Sequence, residues 1–263
     1  MNVLDESQIK KIKICGQRLA ETLAEIEKRV KPGIVTLDLD KLAEKLLLAK
    51  KCQPAFKGYY VVGAGHYPAT LCVSINDEIV HGLPTKEKIL QNGDIVSLDI
   101  GASYEGIFTD MAVTLAVGEI DRTASKLLLD TRKALFLGIK QAMIGRRIGD
   151  IGATIEKFAE KQKLGLIRDY VGHGIGTKPH LPPQIPNFGK KGTGQKILEN
   201  MALAIEPMLT SGGGETVQGS DSWTVKTADH SLSAHFEHTI IIENGQPVIV
   251  TKASSSAHKL VSP

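Results

Sequence analysis

Two aspartates sit inside text that otherwise reads as apolar β-strand. Residues 94–100 and 108–117 alternate apolar and polar positions, and the stretch Gly101–Gly106 reads as the link of a hairpin between them. Asp99 and Asp110 lie eleven residues apart on those two runs. In Val96-Ser97-Leu98-Asp99-Ile100, alternation puts Asp99 on the face opposite Leu98 and Ile100. A carboxylate among apolar neighbours is costly unless something pairs with it. Two facing carboxylates repel unless they share a proton or a cation. A solvent-facing pair on an edge hairpin is the plainer alternative, because many antiparallel sheets keep one face wet.

Two further acids stand in the same odd context. Glu206 ends the run Met201-Ala202-Leu203-Ala204-Ile205 before Pro207, and Glu237 opens the run that continues to Ile242. Each alone reads equally as a strand end at the surface. His173 sits in Val171-Gly172-His173-Gly174-Ile175-Gly176, where alternate glycines permit close backbone approach around one imidazole. Together the two Asp, two Glu and one His make an oxygen-rich candidate site for two divalent cations. Four carboxylates carry −4, which two such ions balance. Carboxylates bridge ions roughly 3.5–4 Å apart, which then hold a shared hydroxide as nucleophile. Oxygen ligands with one nitrogen suit Mn, Fe, Co or Zn. His81, in Val80-His81-Gly82-Leu83-Pro84, and His180, in Lys178-Pro179-His180-Leu181-Pro182, read as loop-rim histidines that position substrate, or as ordinary surface residues. The stretch Gly189-Lys190-Lys191-Gly192-Thr193-Gly194-Gln195 lacks the Gly-Lys-Ser/Thr of a phosphate loop and reads as a plain loop. Cys72 reads as a small hydrophobe or pocket liner.

The element order is α+β. Helices are expected over 7–29, with Ile9, Ile12, Leu19, Leu23 and Ile26 at helical spacing, from Thr36 or Asp38 as N-cap, over 122–144 and over 149–164. Short strands are expected at Leu71–Ile75 and Ile79–His81. The second half repeats the plan of the first without a clear sequence repeat. Three cysteines, Cys15, Cys52 and Cys72, with no C-x-x-C pair, exclude a disulfide scaffold and suit a reducing cytosol. No apolar run approaches the roughly 20 residues of a membrane helix, and the charged N-terminus lacks an apolar signal region. A net charge of +3 from 32 basic and 29 acidic residues gives no concentrated basic footprint for nucleic acid.

The segments SINDEIVHGLP, IVSLDIGASYEGIFTDMAVTLAVG, GHGIG with the following PH, AIEPML and WTVKTADHSLSAHFEHTI resemble, in order and spacing, the type I methionine aminopeptidases. The likeness runs from about residue 5 to 252. It implies the pita-bread (creatinase/aminopeptidase) fold: an antiparallel sheet of pseudo-twofold halves with helices on the outer face. A single catalytic domain over 1–252 and a frayed tail over 253–263 are expected. The resemblance implies that Asp99, Asp110, His173, Glu206 and Glu237 ligate two divalent ions, with Asp110 and Glu237 bridging. It implies that His81 lies on the substrate's amine side and that His180 contacts the scissile carbonyl. Glu206 then shuttles a proton, while Tyr67, Cys72 and Trp223 line the methionine pocket. The implied activity is removal of initiator methionine from nascent chains whose second residue is small, by a metal-shared hydroxide. A cytoplasmic monomer follows, acting on nascent N-termini without membrane or specific nucleic acid, and the small basic excess permits a transient ribosome contact. Prolidase-type and non-catalytic relatives of the same fold are the alternatives, the first expected to carry an extra N-terminal domain. The chain departs from the family at Tyr60-Val61-Val62-Gly63-Ala64-Gly65, inserted before His66-Tyr67-Pro68. This leaves Tyr59 or Tyr60 as the second pocket aromatic. Pro179 also stands where the family often has Phe, a change expected to loosen the pocket.

Overall fold

Capping and apolar spacing fix the first element. In the computed structural model, which describes residues 3–253, helix α1 spans Glu6–Glu27. The Asp5 carboxylate accepts from the Gln8 N–H while the Gln8 side chain accepts from the Asp5 N–H, a reciprocal cap worth about 1 kcal/mol. Ile12, Leu19, Leu23 and Ile26 are fully buried. Helix α2 spans Thr36–Ala49. Thr36 lies inside it rather than capping it, because its hydroxyl donates to the Thr85 carbonyl and accepts from the Thr85 N–H. Helix α3, Arg122–Ile139, is capped by Asp121 and stops short of the expected residue 144. Tight turns at Gln141 and Ala142 end it, and the Ile144 N–H is drawn to the Gly245 carbonyl. Helix α4 spans Ile148–Gln162 and ends on Lys163 in the left-handed region (φ 58°). No helix among the described residues is long and apolar enough to cross a membrane.

The strands that carry the site are β1 (Leu71–Ile75), β2 (Ile95–Tyr104), β3 (Ile107–Ala116), β4 (Gly172–Gly174), β5 (Ala202–Ile205) and β6 (Glu237–Glu243). They belong to one nine-stranded antiparallel sheet, in which β2, β3, β6, β5 and β4 are successive neighbours and β1 pairs with β2. The expected link over 101–106 is not a loop. Residues 102–104 pair with 107–109, and the turn is only Glu105-Gly106, both at positive φ (48° and 79°), the two-residue geometry that suits strand twist.

Each helix pair covers its own half of the sheet. Leu19, Leu23, Leu39 and Leu47 of α1 and α2 pack with Val96, Leu98 and Ile100 of β2. Leu127, Leu135, Ile151 and Ile155 of α3 and α4 pack with Leu203, Ile205, Ile240 and Ile242. Such side chains contribute about 1.5–3 kcal/mol each when fully buried. The two cores hold the two halves of the site in fixed relation. The chain expected as a tail is described only to Ala253, which is itself buried; residues 254–263 lie outside the described residues.

Candidate metal centre

Strand register assembles the acids. Cys72 on β1 faces Asp99 on β2, Asp99 faces Ala112 on β3, and Ala112 faces Glu237 on β6. One row of the same face therefore carries both Asp99 and Glu237. In the adjoining row Gly101 faces Asp110, whose N–H donates to the Thr239 hydroxyl, and Ala204 lies between Thr239 and His173. Gly172 and Gly174 explain how β4 fits there. A Cβ at Gly172 would stand 2.4 Å from the Ala204 carbonyl oxygen, and one at Gly174 the same distance from that of Pro182. Ligand atoms of Asp110, His173 and Glu237 lie within 4.8 Å of one another. Glu206, just past β5, lies 3.5 Å from His173 Nε2.

The electrostatics call for cations. Asp99, Asp110 and Glu237 are buried, and one carboxylate oxygen of each has no hydrogen-bond partner. No Lys or Arg lines the cavity. Burial pushes Asp99 up to about 7. It also raises Asp110, Glu206 and Glu237 well above the usual carboxylate range, and repulsion within the cluster adds to the effect. Burial, then the nearby His180, holds His173 down to about 4, so its ring is neutral. Its Nδ1 lies 3.0 Å from the Gly174 carbonyl, which only accepts, so Nδ1 carries the hydrogen and Nε2 keeps its lone pair. Orphaned buried oxygens and one free imidazole nitrogen are what a divalent-metal site needs.

A pH dependence of the metal-free protein follows. Carboxyls with raised folded pKa values stabilise the fold fully below the unfolded range near pH 4, and that contribution is lost as pH rises through the folded values. His81, His173 and His235, depressed to about 4, 4 and 3, act oppositely, but only below about pH 6.5. Between pH 6.5 and 8 the four raised carboxyls outnumber the one opposing group, Cys52, held down to about 7 by its hydrogen bond with Cys15, and set the slope. The calorimetric Tm of metal-stripped protein is expected to fall over that window, by about 2–4 °C per kcal/mol lost, and saturating Mn is expected to restore it. A flat or rising metal-free Tm would contradict this charge assignment.

All ten residues named from the sequence (Tyr67, Cys72, His81, Asp99, Asp110, His173, His180, Glu206, Trp223 and Glu237) line one cavity of about 240 Å³. Tyr67, Cys72 and Trp223 form its buried apolar end with Phe56, and Leu83 packs against them. The Tyr67 and Trp223 rings meet edge to face at 5.0 Å, and the Tyr67 hydroxyl donates to the Gly82 carbonyl. His81 has a left-handed backbone (φ 58°), and its ring lies edge to face with Tyr170 at 5.6 Å. Pro179 does not line the cavity.

Two residues beside the acids were not assigned from the sequence, Tyr59 in the cavity lining and His235 behind Glu206. Tyr59, rather than Tyr60, is the second aromatic: its hydroxyl lies 3.0 Å from His180 Nδ1, while Tyr60 is 59% exposed. His235 is buried, without a hydrogen-bond partner, and its Nε2 is 3.7 Å from Glu206. His235 stands two residues before Glu237 in the sequence, but it ends a separate short strand, Ser233–His235, of another sheet, so alternation along the Glu237 strand does not point to it.

The sequence profile of metallopeptidase family M24 matches residues 10–244. The chain belongs to metallopeptidase family M24. A methionine aminopeptidase of Aquifex aeolicus is 44% identical over 257 residues, covering 96% of this chain and 99% of that protein. The crystal structure of a methionine aminopeptidase from Thermotoga maritima superposes with a TM-score of 0.92 at 44% identity, over 95% of this chain and 98% of that one. The prolidase from Pyrococcus furiosus, 17% identical, shares the fold at a TM-score of 0.76, over 96% of this chain and 66% of that one. The pita-bread fold expected from the motifs is therefore the fold of this metallopeptidase.

Proposed function

We propose that this metallopeptidase is an aminopeptidase that releases initiator methionine from nascent chains whose second residue is small. One observation carries the reading: four crowded carboxyls and a neutral histidine, with no basic side chain, border an apolar pocket that fits one side chain. Asp99, Asp110, His173, Glu206 and Glu237 would hold two divalent ions, drawn from Mn, Co, Fe and Zn. Bound ions supply Lewis acidity, which activates water near neutral pH and polarises the scissile carbonyl.

The chain's own residues do the rest. Phe56, Tyr67, Cys72 and Trp223 enclose the thioether, a soft group suited to an apolar, adaptable pocket. Burial keeps His81 neutral, so no cation of the chain repels a substrate amine beside it. Glu206 takes the proton of the attacking water and returns it to the departing amine. His180 donates to the carbonyl oxygen as charge develops there. We place the enzyme in the cytoplasm as a monomer working on emerging N-termini, where its +3 charge permits weak contact with the ribosome.

The test is release of free methionine from Met-Ala-Ser by metal-stripped protein, then with each metal added. Release only with metal, with Met-Lys peptides and Xaa-Pro dipeptides left uncut, is the expected result. Cleavage of Xaa-Pro dipeptides instead would replace this reading with a prolidase.

A further inference from the structure

The residues inserted before His66 fold into a hairpin, not a loose loop. Tyr60–Val61 pairs with Gly65–His66, and backbone bonds join Tyr67 to Tyr59 and Gly58 to Tyr67 beneath it. Gly63 and Gly65, both at positive φ, turn the tip, where Val62 is 87% exposed. The hairpin forms one wall of a second depression, of about 360 Å³, with Gln218 and Ser222 opposite. That groove adjoins the catalytic cavity: Val61, His81, Tyr170 and Trp223 line both. No charged Asp, Glu, Lys or Arg lines it.

We propose that this groove is a binding subsite for the third residue of the substrate polypeptide and that it favours an apolar side chain there. The inference rests on the aminopeptidase reading. An aminopeptidase holds the first residue at the closed end of its pocket, so the remaining chain leaves through the mouth, where the groove begins. In an extended peptide, side chains at positions one and three point to the same side. Trp223 borders the pocket for the first and the groove for the third, which matches that alternation. The second side chain points away from both. Val61, Val62 and Ala64 then offer the third side chain an apolar wall that only the inserted hairpin provides.

The test compares kcat/KM for Met-Ala-Leu-Gly and Met-Ala-Ser-Gly in the metal-loaded enzyme, the double variant Val61→Ser/Val62→Ser, and the remote surface control Leu129→Ser. The leucine peptide is expected to be favoured about five- to tenfold in the native enzyme and the control, the ratio one partly buried aliphatic side chain supplies. In the double variant the ratio is expected to fall to about twofold or less. The single tryptophan, Trp223, gives a second readout: its emission in metal-free protein should titrate at lower concentration with the leucine peptide. Equal rates in the native enzyme, or a preference that survives in the double variant, would overturn the groove assignment while leaving methionine release intact. No methionine release from either peptide would overturn the aminopeptidase reading and the groove with it.

Discussion

Asp110→Asn is expected to make the metal-free protein more stable and the metal-loaded protein nearly inactive. Asp110 is 4% exposed, and one of its oxygens has no partner. Burial and repulsion from Asp99 and Glu206 penalise its charge. Asparagine keeps the shape and removes that charge. The backbone stays anchored, since the Asp110 N–H and carbonyl both bond the Thr239 hydroxyl. Above neutral pH the gain in metal-free stability is expected at about 1–3 kcal/mol, the usual scale for relieving one badly satisfied buried group. The loss on the other side is larger. With an anionic group of the proposed metal centre made neutral, metal affinity should drop by about 10²-fold or more, and kcat/KM by about 10³-fold. A urea midpoint without metal and a calorimetric Mn titration read the two halves separately. Unchanged turnover at saturating metal would sink the ligand role, and a lower metal-free midpoint would sink the argument from repulsion.

Such opposed effects make the site partly legible in the sequence. Acids embedded in apolar strands conflict with local burial rules, and sequences retain such conflicts at functional sites. Asp99, Asp110, Glu206 and Glu237 each showed that conflict, and the glycines around His173 showed a backbone under close approach. Local pattern also carried the helices: the α1 stripe from Ile12 to Ile26 is buried as spaced. What local pattern lacks is register. That Asp99 and Glu237 share a row depends on pairing across β2, β3 and β6. The same holds for Tyr59, which reaches His180 across 121 residues of sequence. The hairpin link was misjudged because Gly101 looks like a turn residue, whereas residues 102–104 find partners on β3 that outweigh the glycine signal. The expected end of α3 failed for a similar reason, since the bond from Ile144 to Gly245 competes with continuing the helix.

His180→Ala is expected to lower kcat by about 10²–10³-fold, the cost of removing one donor to a developing oxyanion, while KM changes by about threefold or less. The hydrogen-bond chemistry supports a donor role. Loss of solvation in the cavity wall lowers the pKa of His180, which favours the neutral ring. A neutral imidazole has one donor and one acceptor nitrogen. A donor role toward substrate requires the tautomer with the hydrogen on Nε2, in which the Tyr59 hydroxyl, 3.0 Å from Nδ1, donates to that nitrogen. Tyr59 therefore acts through His180, and Tyr59→Phe should cost about tenfold or less in kcat, with KM held. The double variant separates this from a merely structural effect: Tyr59→Phe/His180→Ala should be no slower than His180→Ala alone, because the tyrosine has nothing left to orient. Additive losses would place Tyr59 in direct contact with substrate. A rise in KM at constant kcat for His180→Ala would make that histidine a substrate-positioning group, and the charge on the carbonyl oxygen would then fall to the metal centre alone.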